Sequence, residues 1–113
     1  PRVSLGATVR EALFEMTSKG YGATAVTDEA GKLAGIFTDG DLRRFLERSA
    51  RPFMDCPIPE AMTKNPKTIA PDRLAAEAVL LMERHEVSVL LAVRQEKPVG
   101  IIHLHELLKA GLA

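Results

Sequence analysis

Thr38-Asp39-Gly40-Asp41 lies where the apolar run Gly35-Ile36-Phe37 gives way to Leu42-Arg43-Arg44. A strand that hands the chain to a helix at Asp39 leaves free backbone N–H groups, and with the helix dipole these favour an anion. Thr38 can donate to a phosphate oxygen, and Asp41 can accept from two vicinal ribose hydroxyls. Gly40 lets the backbone approach a bound molecule closely. Arg43 and Arg44 can reach phosphates. Arg48 and Arg51 extend the basic stretch and read more simply as a solvated helix face. The Thr38-x-x-Asp41 spacing also fits an N-terminal cap with Thr38 as N-cap. The two roles are compatible.

A second copy of this junction occurs later. Gly100-Ile101-Ile102 leads into His103-Leu104-His105-Glu106, a shift of 65 positions (35 to 100) that carries Thr38 onto His103 and Asp41 onto Glu106. Upstream the shift is 66 (11 to 77), which brings Glu11, Ala12 and Met16 onto Glu77, Ala78 and Met82. The extra residue sits in a turn, Asp28–Lys32 against Arg94–Lys97, where a structural repeat absorbs length changes. Histidine is a poorer N-cap than threonine. A ligand-facing role accounts for His103 better than capping does; the plainer alternative is a surface or edge histidine. His103 and His105 can hydrogen-bond a base or a phosphate. Because the two copies differ, ligand preference or occupancy should differ between them.

Other chemistries fail on inventory. His103, His105 and Glu106 are metal-binding types, but no further Cys/His cluster completes a tetrahedral site, so no physiological metal is expected. His85, near a helix C-terminus, suits the dipole alone. No serine has a nucleophile-elbow context. Cys56, between Asp55 and Pro57, has no electropositive neighbour and reads as inert. Asp39 and Asp41 share a helix start that favours both as anions, whereas general acid work needs one raised. Met62 and Met82 read as core filler.

Composition agrees with a binding module. The 113 residues are 46% hydrophobic, enough for a core. Fifteen basic and fifteen acidic side chains cancel, giving no general pull toward nucleic acid or anionic membrane. Aromatics at 4% offer no stacking platforms. No apolar run is long enough to span a bilayer and no signal peptide is visible. A single cysteine fits a reducing compartment, and a cytoplasmic location is expected. The start at Pro1 suggests a piece of a longer protein.

Each half must hold its junction in place with helix, strand, strand, helix. Thr8 and Glu11 have capping-box spacing. Val9, Leu13 and Met16 mark a helix face, and Gly20 and Gly22 stop it. Strands are expected at Thr24–Thr27 and Leu33–Phe37, then a helix from Asp39 with Leu42, Phe45 and Leu46 on one face. In the second half Pro71 and Asp72 open a long helix through Leu74, Ala78, Leu81 and Met82. Strands at Val87–Val93 and Val99–Ile102 precede a helix at Leu104–Ala110. The expected units are 1–50 and 67–113. Between them 51–66, rich in proline, forms a connector with one possible helical turn at Ile58–Met62. Units this small should pack on each other.

This duplicated unit, with Gly-Ile-Phe-Thr38-x-x-Asp41-Leu at the second strand end, resembles a tandem CBS domain pair (a Bateman module) over essentially the whole chain. The runs Thr38–Arg44 and Gly100–Gly111 more narrowly resemble the C-terminal CBS pair of bacterial arabinose 5-phosphate isomerases. The resemblance implies an α/β (α+β) fold of two pseudo-twofold-related units, clefts that take adenosine-type ligands, and pairing into a homodimer or higher homo-oligomer. It gives Thr38 the phosphate and Asp41 the ribose. It also implies an N-terminal sugar-isomerase domain in the parent, which this non-catalytic chain would regulate. AMP or ATP is then the generic ligand. CMP-Kdo, the activated form of the sugar acid downstream of the parent, is the specific one. The alternative is a purely structural oligomerisation module with vestigial clefts.

Overall fold

The computed structural model describes residues 1–49 and 52–111. The chain divides into two compact units, Pro1–Asn65 and Pro66–Ala113.

In the first unit, β1 (Arg2–Ser4) leads to α1 (Val9–Lys19), β2 (Ala23–Thr27), β3 (Leu33–Thr38) and α2 (Asp39–Arg48). A 3-10 turn (Ile58–Glu60) and β4 (Thr63–Lys64) complete it. The sheet order is β1-β2-β3-β4, with β1 parallel to β2 and the other pairs antiparallel. Helix α1 begins in the capping box expected from Thr8 and Glu11 and ends at Gly20, which is left-handed at φ 71°. Its Val9, Ala12 and Met16 pack with Val26, Phe37, Phe45 and Ile58 in one core. Strand β2 is buried along its whole length. That is why it is a short run of small and β-branched residues without alternation.

The second unit repeats the order: β5 (Thr68–Ile69), α3 (Ala75–His85), β6 (Val89–Arg94), β7 (Lys97–His103) and α4 (Leu104–Lys109). Its sheet runs β5-β6-β7. Its core gathers Ile69, Ala78, Met82 and Leu90. The repeat extends to backbone detail. Ala23 faces Thr38 and Val89 faces His103. The register slips at Val26/Thr27 in one unit and at Ala92/Val93 in the other, 66 positions on (26 to 92).

Several expectations need adjustment. Each unit gains a leading strand of two or three residues, too short to show periodicity. Helix α3 starts at Ala75, because Pro71–Arg73 form a turn closed by Arg73 N–H to the Ala70 carbonyl at 3.1 Å. Leu74 and Leu46, read as core-facing, are 70% and 44% exposed. The proline-rich segment is no open tether. Ile58 is fully buried in the first core, its N–H donates to the Ala7 carbonyl at 2.8 Å, and β4 joins the first sheet. Met62 packs against that core and Met82 is buried, as filler should be. Arg51 lies outside the described residues.

Candidate functional site

Strand β3 delivers Thr38 in an extended conformation (φ −122°, ψ 168°) to the start of α2, and a full capping box forms there. The Asp41 N–H donates to Thr38 Oγ1 at 3.1 Å. In return Asp41 Oδ2 accepts from the Thr38 N–H at 2.9 Å and the Thr38 hydroxyl at 3.0 Å. The other oxygen, Oδ1, accepts from Arg44 Nη2 at 2.7 Å and from the Thr63 hydroxyl at 2.6 Å. Asp41 is only 4% exposed. A carboxylate has about four lone-pair positions, and here all four are occupied. Burial of its charge is offset by the Arg44 guanidinium, three residues along the helix, and by the helix N-terminus.

The neighbours fit this hub. A Cβ on Gly40 would stand 3.3 Å from Arg44 Nη1 and 3.6 Å from Thr38 Oγ1, so glycine leaves the guanidinium room to fold back on Asp41. The Asp39 N–H donates to the Gly22 carbonyl at 3.0 Å. Two N–H groups that the sequence offers to an anion, those of Asp39 and Asp41, are thus already engaged. Arg43 is exposed. Arg48 turns away: its Nη2 donates to the Glu60 carbonyl at 2.7 Å and its guanidinium lies 5.2 Å from the Phe45 ring centroid. That is packing onto its own unit, where the sequence reading expected a solvated helix face.

The second junction is built differently. His103 takes the N-cap position of α4 (φ −106°, ψ 132°) without a side-chain capping bond. It is half-buried, while His105 and Glu106 are exposed. The backbone tie recurs, with the Leu104 N–H donating to the Ser88 carbonyl at 2.9 Å. Thr38, Asp41 and Arg44 therefore form one network with Gly40 beside it, and His103, His105 and Glu106 share a junction whose helix start has no side-chain cap. Thr63 is the member of the first network that the sequence did not reveal. It lies 22 residues from Asp41, beyond any local spacing rule.

Among the described residues no group of three or more His, Cys, Asp or Glu is placed to hold a metal ion, and no helix is long and apolar enough to cross a membrane. Cys56 is buried, its Sγ 3.5 Å from the Pro52 carbonyl.

This duplicated fold and junction belong to a known class. The CBS domain model matches residues 1–48 and 58–113, and the chain belongs to the CBS domain family. Over 99% of its length it is 48% identical to arabinose 5-phosphate isomerase KdsD of Pseudomonas aeruginosa. It spans about a third of that relative, 34%. Two solved structures share the fold. The CBS domain pair of protein MJ0100, in complex with 5-methylthioadenosine and S-adenosyl-L-methionine, superposes with a TM-score of 0.84 at 23% identity over 98% of this chain and 92% of that one. The CBS domain protein PAE2072 of Pyrobaculum aerophilum, complexed with AMP, gives 0.85 at 19% over 98% and 88%.

Proposed function

We propose that this CBS pair is the ligand-sensing part of a sugar-phosphate isomerase, an arabinose 5-phosphate isomerase of the Kdo and lipopolysaccharide pathway. It takes a nucleotide or nucleotide-sugar. The observation that carries the reading is the Thr38–Asp41–Arg44 cluster: hydroxyl, carboxylate and guanidinium gathered at a helix N-terminus, able to meet a sugar diol and a phosphate. The adenosine compounds in the MJ0100 and PAE2072 complexes, AMP among them, support that ligand class. The KdsD likeness supports the parent activity, and a cytoplasmic setting belongs to the same proposal. Thr38, Asp39, Gly40, Asp41, Arg43 and Arg44 make the first ligand surface, and His103, His105 and Glu106 the second. AMP and ATP are the generic ligands. CMP-Kdo is the feedback ligand, its phosphate and carboxylate suited to the arginines of the first surface or the histidines of the second. Binding shifts the balance between two arrangements of the module and so reaches the isomerase domain. The chain works as a homodimer or higher homo-oligomer and performs no catalysis itself.

A second reading has its own support. With all four Asp41 acceptor positions filled from within, and no side-chain cap at the start of α4, the module can serve oligomerisation alone. Thermal unfolding with AMP, ATP, CMP, CMP-Kdo and arabinose 5-phosphate separates the two. A ligand at a hundred times its dissociation constant adds about 2.7 kcal/mol, a shift of several degrees. A response to a nucleotide supports sensing. A flat panel at millimolar ligand overturns it in favour of oligomerisation.

A further inference from the structure

We infer that Thr63 is the group a ligand diol displaces from Asp41, so that binding unhooks β4 from the start of α2; this rests on the nucleotide reading above. The Asp41 carboxylate has no vacant acceptor position, and any hydroxyl that reaches it must replace a partner it already has. The two on Oδ2 both come from Thr38, one of them a backbone N–H fixed by the β3–α2 junction. The two on Oδ1 come from side chains that face solvent: Arg44, 61% exposed, and Thr63, also exposed. Removing Arg44 would strip a buried carboxylate of its cation, the costlier loss. Exchanging the Thr63 hydroxyl for a ribose hydroxyl replaces like with like, and the net cost of such an exchange is small. Oδ1 therefore releases Thr63, and Arg44 stays to face the phosphate.

The consequence lies in the chain path. Strand β4 is two residues long and pairs with β3 only at Gly35–Lys64 and Ile36–Thr63. It is the last element before the boundary between the units at Asn65 and Pro66. The Thr63 side chain ties it to α2, beside the Arg48 bond to the Glu60 carbonyl three residues earlier. Loss of that tie loosens the segment that leads from one unit into the next. This gives the ligand a discrete contact whose two states it can bias.

The test is calorimetric titration of the full chain and its T63V variant with AMP and CMP, and with their 2′,3′-dideoxy counterparts. Valine keeps the β-branched shape suited to a strand and removes the donor. The variant no longer has to break the Asp41 bond, so it should bind AMP or CMP about tenfold more tightly, the equivalent of about 1.4 kcal/mol. Binding of the dideoxy compounds should not change, and T63S, which keeps the hydroxyl, should match the parent. Wild-type binding with no gain in T63V overturns the displacement and leaves the nucleotide reading intact. Equal tightening toward ribo and dideoxy compounds also overturns it, as a general loosening. If neither protein binds any of the four, the nucleotide reading falls and the displacement with it.

Discussion

Replacing Asp41 by alanine should cost far more stability than the same change at its repeat counterpart Glu106. Asp41 is 4% exposed and accepts four hydrogen bonds, whereas Glu106 is exposed and its junction has no side-chain cap. Loss of the two return bonds from Thr38 to the carboxylate is worth about 1 kcal/mol, while the cap that the Thr38 hydroxyl gives the residue-41 N–H remains. The bond from Thr63 is partly recovered by water and adds about half that or a little more. The half-exposed Arg44 pair adds a few tenths. Asp41→Ala should therefore destabilise by about 2 kcal/mol and lower the melting temperature by about 8 °C for a domain near this size. Glu106→Ala should stay within about 0.5 kcal/mol. Far-UV circular dichroism follows both variants. Tyr21, the only tyrosine in a chain without tryptophan, reports on the first unit by fluorescence. Equal shifts for the two variants, or a drop under about 2 °C for Asp41→Ala, would refute the view of Asp41 as a buried hub.

The repeat supplies a second matched pair. A Cβ at Gly35 would stand 2.8 Å from both Met62 Sδ and the Thr63 carbonyl, while at Gly100 the nearest atom is the Ala92 Cβ at 3.8 Å. Gly35→Ala should cost about 1–3 kcal/mol through overpacking against β4, and Gly100→Ala should be neutral or mildly stabilising, as urea denaturation will read. Glu15 supplies a pH dependence. Burial pushes its carboxyl up, but the Arg2 N–H and the hydrogen bond and charge of Lys19 outweigh this and hold it below its ordinary value of 4.5. A depressed carboxyl stabilises above its unfolded value and loses that contribution as pH falls through its folded one. Glu15→Gln should thus be slightly less stable than the parent above pH 4.5, and the gap should close under more acid conditions. A gap that widens in acid reverses the sign.

Much of this architecture could be read from local spacing. Thr8 with Glu11 and Thr38 with Asp41 announce their helix starts because a capping box needs only a fixed offset of three residues. The duplicated glycine–apolar–polar junction announces the repeat. What escaped depends on distant partners. Strands β1, β4 and β5 are two or three residues each and exist only because a longer neighbour pairs with them. Leu46 and Leu74 have the right residue type but find no core to cover them. Pro71 and Asp72 resemble a helix start, yet the turn they form delays α3 to Ala75. At the site, the local half of the network was legible and the Thr63 half was not. The same spacing that announced a ligand contact also announced a cap, and the cap is what the structure displays. A histidine at the second junction was rightly read as a weak N-cap.

Titration of the isotopically labelled chain with AMP and with CMP, followed by amide chemical shifts, shows whether and where a nucleotide binds. Nucleotide sensing at the β3–α2 junction requires saturable shifts concentrated at residues 38–44, with Thr63 and Lys64 moving in step. Saturable binding whose shifts avoid that junction, or no saturable shifts at millimolar nucleotide, would contradict it.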